Sequence, residues 1–260
     1  GGDTTVMLNN TPLRSSMNAA SVEQAVHVPM ALHPAPGRVL VVNDRGHLGQ
    51  LARYEGLTVD DLEMDPLLAG PRSRIGTPET FRPKENYDVV LVGCDMPENV
   101  AAGRLLSVEF FSRVKRLLTT GGVFSFSLPL SPNYLSPAEK ELLDVVRATL
   151  SRVFAHVRVL PGEGYTFVAS DRVIDGPIVP RVKTDFLIAQ VLPSLDSTRV
   201  VEANEPVKST AVNSRARPLG LRLGLQRWVE LAEVPLALYA AILMVVMATG
   251  GVLLPRRLSM

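Results

Sequence analysis

Polar, chemistry-bearing residues follow directly on three candidate strands of this chain. Asn43-Asp44-Arg45-Gly46-His47-Leu48-Gly49 comes after Arg38–Val42, Glu63-Met64-Asp65-Pro66 closes Leu57–Leu62, and Gly93-Cys94-Asp95-Met96-Pro97-Glu98 comes after Tyr87–Val92. Where strands run parallel with helical crossovers, ligands sit at the carboxyl ends of the strands, so these three tips are the places to look for a site. In the first, Gly46 and Gly49 let the backbone approach a ligand, Asp44 adds an acid, and the following helix offers N–H groups. An ordinary strand-to-helix turn explains that pattern better as a bare motif. At the second, Glu63 is placed to accept hydrogen bonds from both hydroxyls of a ribose, or else is a solvated strand-end carboxylate. At the third, Asp95 has the chemistry of a base or a ligand for a cationic amine, against the plainer reading of an Asx-type turn. Cys94 reads as a small buried residue, with nothing local to activate its thiol.

The elements that must hold these tips are legible from periodicity. Arg38–Val42 and Tyr87–Val92 each carry four consecutive apolar residues, Val39–Val42 and Val89–Val92, as strands buried on both faces do. Leu57–Glu63, Val123–Leu128, Val157–Leu160 and Tyr165–Ala169 read as further strands, the last two joined by the turn Pro161-Gly162-Glu163-Gly164. Helices are expected over Val22–Leu32, from Gln50 to Tyr54, and over Leu106–Leu118 with Gly121-Gly122 as its stop. A further helix follows Ser136-Pro137-Ala138-Glu139, a capping box with proline at the first helical position. Strands alternating with helices predict an α/β, Rossmann-like fold: a mostly parallel sheet with an antiparallel C-terminal edge hairpin, plus one transmembrane helix. Residues 1–36 form an N-terminal strand and helix extension, 37–172 the Rossmann-like domain, and 173–219 an irregular extension.

Val234–Leu254 is a run of 21 residues without a charge. As a helix it would span about 30 Å, the thickness of a bilayer's hydrocarbon core, which predicts a transmembrane helix over 234–254. Just before it, 220–233 carries Arg222, Arg227 and Trp228 among leucines and reads as an interfacial helix. Arginines on the near side outnumber Arg256 and Arg257 on the far side, which places the folded domain in the cytoplasm. A chain that opens on Gly1-Gly2 and stops six residues after that run reads as a piece of a longer protein. The net charge of +1 gives no basic field for nucleic acid. One cysteine and four scattered histidines offer no metal-ligand spacing.

Several stretches resemble the spermidine synthase family, the polyamine aminopropyltransferases, and most of all its bacterial branch fused to membrane-spanning helices. His27-Val28-Pro29 with His33–Leu40 is similar to the segment leading into that family's first strand. Leu62–Pro66 is similar to its acidic strand-two motif, and Tyr87-Asp88-Val89-Val90 to the strand before its active-site loop. The most specific match is Leu128–Pro137, continued by Val159–Glu163 and Phe167–Ser170. The resemblance covers about Leu8 to Ala169, and more loosely reaches Pro218.

The resemblance implies transfer of an aminopropyl group from decarboxylated S-adenosylmethionine, as co-substrate, to a polyamine, with no metal or resident cofactor and with a homodimer as the usual assembly. It implies a nucleoside and polyamine site formed by Asp44, Gly46, Gly49, Glu63 and Glu23, with Asp95 as the available base. The chain also departs from the family pattern. The catalytic aspartate falls on Gly93, the neighbouring acid on Met96, and the tyrosine of the Tyr-His-Glu motif on Ser21, leaving Glu23 as its glutamate. Asp44, Arg45 and His47 stand where the glycine-rich loop would receive the nucleoside. Two functions follow: an aminopropyltransferase-type enzyme with impaired chemistry, or a non-catalytic membrane-anchored module that keeps the fold. A methyltransferase ranks behind both, because the loop suits that ligand no better.

Overall fold

The computed structural model describes residues 5–8, 11–15, 19–131, 133–194, 204 and 211–231. Strands β1 (Thr5–Leu8) and β2 (Thr11–Ser15) pair antiparallel as a separate ribbon, and α1 (Ala19–Leu32) leads into the domain. There β3 (Arg38–Val42), β4 (Thr58–Glu63), β5 (Arg74–Ile75), β6 (Tyr87–Val92), β7 (Leu118–Leu128), β8 (His156–Pro161) and β9 (Tyr165–Ser170) form one sheet in the order β5-β4-β3-β6-β7-β9-β8. The pairs β3–β4, β3–β6, β4–β5 and β6–β7 are parallel, and β9 pairs antiparallel with β7 and β8. This is the expected Rossmann-like sheet with its antiparallel edge hairpin.

Strand alternation sorts the apolar side chains into two layers. Leu40, Val42, Leu62, Val90, Val92, Phe124 and Phe126 share one cluster with Phe110, Phe111 and Val114 of α4 (Val108–Lys115) and Leu142 and Val146 of α5 (Pro137–Ser151). Val39, Val41, Val89 and Leu91 face the other way, against Val26 and Met30 of α1 and Leu51 of α2 (His47–Leu51). The Ser136 capping box forms as its spacing requires: the Glu139 amide donates to Ser136 Oγ at 3.3 Å and the Ser136 amide to Glu139 Oε2 at 2.8 Å.

Several boundaries differ from expectation, and α1 starts at Ala19 rather than Val22 and β7 at Leu118 rather than Val123. The helix after β3 starts at His47 rather than Gln50. The helix expected over Leu106–Leu118 is only Val108–Lys115, and Gly121-Gly122 lies inside β7 instead of ending a helix. Gly121 takes φ +76°, where the β6–β7 register shifts, so the glycine pair serves a strand irregularity. The short α3 (Val100–Arg104), capped by the Asn99 side chain, carries no periodic signal at that length.

The segment after β9 runs back over the domain. It forms a π-helical turn (Leu187–Val191) continued by α6 (Leu192–Ser194) and, further on, α7 (Leu219–Leu231). Leu219 and Leu223 of α7 are buried in the core layer that holds α4 and α5. Asn213 fastens the chain just before this helix: its Nδ2 donates to Gly103 O at 3.2 Å and Leu106 O at 2.9 Å, and its Oδ1 accepts from Gly220 N at 3.0 Å. Among the described residues no helix is long and apolar enough to cross a membrane, and the run 234–254 lies outside them. Removing the three buried side-chain bonds of Asn213 at roughly 1 kcal/mol each predicts that Asn213→Ala loses about 3 kcal/mol, read as a lower urea midpoint.

Candidate functional site

The three strand tips named by the sequence do come together, at the carboxyl ends of the adjacent strands β4, β3 and β6. Asn43 leaves β3 with φ +55°, a left-handed conformation that asparagine tolerates better than most residues. Its amide donates to Leu62 O at 3.0 Å, and its Oδ1 accepts from Met64 N at 3.2 Å, tying the β3 tip to the β4 tip. The Gly93 amide donates to Val42 O at 2.8 Å and ties β6 to the same point.

Gly93 is obligatory there. A Cβ on it would stand 2.0 Å from Asn43 O and 2.6 Å from Arg45 Cγ, both impossible contacts. Arg45 therefore passes over Gly93, and its Nη2 donates to Asp95 Oδ2 at 3.0 Å. The arginine side chain is only 17% exposed, so this charge-assisted bond is partly shielded from water. Asp95, the candidate base, is thus held by a cation.

The remaining acids are also engaged. Asp44 Oδ1 accepts from the Gly46 and Leu48 amides at 3.0 and 3.1 Å, so the turn satisfies N–H groups that a ligand would otherwise take. The Gly46 and Leu48 amides, expected to be free for a ligand, are thus both taken by one carboxylate oxygen of Asp44. Gly46 is needed for its φ of +104°, whereas Gly49 is exposed and a Cβ on it would meet nothing, so no close approach explains it. Glu63 is buried at the β4 tip, where its Oε1 accepts from the Met64 and Asp65 amides at 3.0 and 3.2 Å. Burial raises its pKa, with the amide bonds and the charge of Arg45 working against that rise.

Glu23 does not join the tips. Its Oε1 accepts from Asp185 N at 2.9 Å and its Oε2 from Phe186 and Leu187 N at 2.8 and 2.9 Å, with Arg53 Nη1 at 3.4 Å. It caps the π-helical turn and is fully buried. Gln24 is similarly structural: its Nε2 donates to Thr166 Oγ1 at 2.9 Å and its Oε1 accepts from Glu163 N at 2.8 Å.

Two site residues carry no sequence signal as chemistry. Asp61, on the same face of β4 as Glu63, has its pKa raised by burial and one oxygen, Oδ1, buried without a hydrogen bond, while Ser73 Oγ donates to the other. His47 opens α2 with Nδ1 buried, unbonded, and 4.0 Å from Asp44 Oδ1. Burial also pushes the Cys94 thiol well above its ordinary range, which favours the protonated form. Among the described residues no cluster of His, Cys, Asp or Glu could hold a metal ion.

Solved structures share this architecture. A spermidine synthase in complex with the transition-state analogue AdoDATO superposes with TM-score 0.53 at 21% identity, over 82% of this chain and 75% of that one. Spermidine synthase from Thermotoga maritima gives TM-score 0.51 at 20% identity, over 82% and 74%. A probable spermidine synthase from Corynebacterium glutamicum gives 0.52 at 14%, over 81% and 88%. No protein-family model matches the chain, and no curated protein matches it by sequence. The chain shares its fold with these spermidine synthases.

Burial holds the His47 pKa down to about 4 against 6.5 in the unfolded chain. Between those values the unfolded state binds a proton that the native state does not, so stability rises with pH through that window and is fully present above it. From about pH 7 to about pH 5, His47 costs roughly 2 kcal/mol of stability. His27 and His33 are lowered by burial and add in the same sense, while the raised Asp61 and Glu63 act in the opposite one. The difference between wild type and His47→Gln isolates the term: the variant's urea midpoint should fall less on acidification. Gly93→Ala should cost about 3 kcal/mol through overpacking against the β3 tip, read as a lower melting temperature.

Proposed function

We propose that this is a spermidine synthase-like domain whose aminopropyl transfer is impaired, and that it works as a membrane-anchored module that keeps the fold. The observation that carries the proposal is Arg45 lying over Gly93 and bonded to Asp95. Transfer chemistry needs an unencumbered base beside the attacking amine and carboxylates to receive a cationic substrate. At these tips the position that would project an acid has no room for a side chain. The nearest acid is neutralised, Asp44 is turned to its own backbone, and Glu23 is committed elsewhere. Glu63 is the one acid standing where a ribose contact would be made. The anchor in this reading is the uncharged run 234–254, and the excess of arginines before it favours a cytoplasmic domain.

The second reading, an active aminopropyltransferase, rests on Glu63 and on the shared fold. Calorimetry with methylthioadenosine separates the two. The wild-type protein should give no binding heat at millimolar nucleoside and no transfer from decarboxylated S-adenosylmethionine to putrescine or spermidine. Arg45→Ala should open the tips and yield measurable nucleoside binding, lost again when Glu63→Ala is added. Micromolar binding by the wild type, abolished by Glu63→Ala alone and accompanied by transfer, would establish the enzyme instead.

A further inference from the structure

α7 has two working faces. Its inner face is fixed to the domain. Leu219 and Leu223 are buried, and Gly224 lies so close to Pro97 that a Cβ would stand 2.5 Å from the Pro97 carbonyl oxygen. Arg227 donates through Nε to Glu139 Oε1 at 2.6 Å and through Nη1 to Glu98 Oε1 at 3.1 Å, while Glu230 Oε2 accepts from Ala138 N at 3.2 Å. Leu225 lies roughly 200° around the helix from Leu223. It and Trp228 form the outer face, 51% and 54% exposed, one helical turn apart. Arg222 stands on the same side, exposed and paired with Glu141, and Arg217 is exposed just before the helix.

We propose that this outer face rests in the headgroup region of a lipid bilayer. The occupant follows from what comes next in the chain: Val234–Leu254 begins within one turn of the end of α7 and is long and apolar enough to cross a bilayer. A tryptophan and a leucine flanked by arginines is the composition that settles at headgroup depth, ring in the interface and cations toward phosphate. A helix held this way keeps the loop it grips, Gly93–Glu98 with Asp95, about one helix diameter from the membrane surface. The proposal rests on the membrane-anchor reading of 234–254.

Trp228 is the chain's single tryptophan and reports its own surroundings. The full chain, reconstituted in phosphatidylcholine and phosphatidylglycerol vesicles, should show Trp228 emission shifted to shorter wavelength relative to the protein in urea. Lipids brominated near the headgroup should quench it more than lipids brominated near the chain ends. Leu225→Glu should reduce that quenching while the protein stays in the membrane on alkaline extraction, and circular dichroism checks that the variant is folded. Retention on alkaline extraction with Trp228 unquenched overturns the proposal and leaves the anchor standing. A blue shift without quenching, which fades as protein is diluted into lipid, means a second copy covers the face and also overturns it. Release on alkaline extraction sinks the anchor reading. If shallow-bromine quenching then still occurs on intact vesicles, α7 seats on the bilayer by itself; without that quenching both claims fall.

Discussion

Arg45 leaves the tip of β3, crosses the bare backbone of Gly93 and ends on Asp95 beyond the tip of β6. The crossing is possible only because position 93 has no side chain. Two parallel strands whose tips are hydrogen-bonded directly, Gly93 N to Val42 O, leave no space for a side chain at 93, which the Asn43 carbonyl and the Arg45 stem both exclude. A partly shielded cation then serves as partner for one acid and lies close enough to a second, Glu63, to act on its ionisation. Acids that would otherwise wait for a cationic ligand already have an internal one.

The same logic of internal satisfaction runs through the neighbouring segments. Asp44 closes the turn into α2, Glu23 closes the π-helical turn, and Gln24 closes the β8–β9 hairpin. Each is buried or half-buried, and each takes backbone N–H groups that would be costly to leave unpaired. The polar residues around the tips are thus those of a set structure, Glu63 included, whose Oε1 accepts from the Met64 and Asp65 amides. From the other side α7 clamps the loop after β6 through Gly224 and Arg227, so the loop that carries Asp95 is held between Arg45 and a helix that leads into the uncharged run.

Much of the fold was legible because it rests on strong local patterns. The doubly buried strands Arg38–Val42 and Tyr87–Val92 have no alternative reading as amphipathic helices, and the Ser136–Glu139 capping box is specific to a helix start. The convergence of Asn43, Glu63 and Gly93 followed from parallel topology alone. What sequence could not show was direction. Asp44 and Glu23 have the right chemistry for a ligand, but hydrogen-bonding to amides a few residues away, or to a turn far along the chain, depends on the packed geometry. Gly121-Gly122 looked like a helix stop because a strand irregularity uses the same residue for the same positive φ. The docking of α7 was hidden because its inner face joins Leu219 and Leu223 to Gly224 and Arg227, and neither the close approach of the glycine nor the ion pairs of the arginine shows in apolar periodicity.

The claim on which the account turns is that Arg45, not a nucleoside, occupies the strand tips. A crystal structure grown with methylthioadenosine at saturating concentration addresses it directly. The account predicts Arg45 bonded to Asp95 across Gly93, with Glu63 still on the Met64 and Asp65 amides and no nucleoside between them. An adenosine ribose on the Glu63 carboxylate, with Arg45 swung away from Asp95, would contradict it.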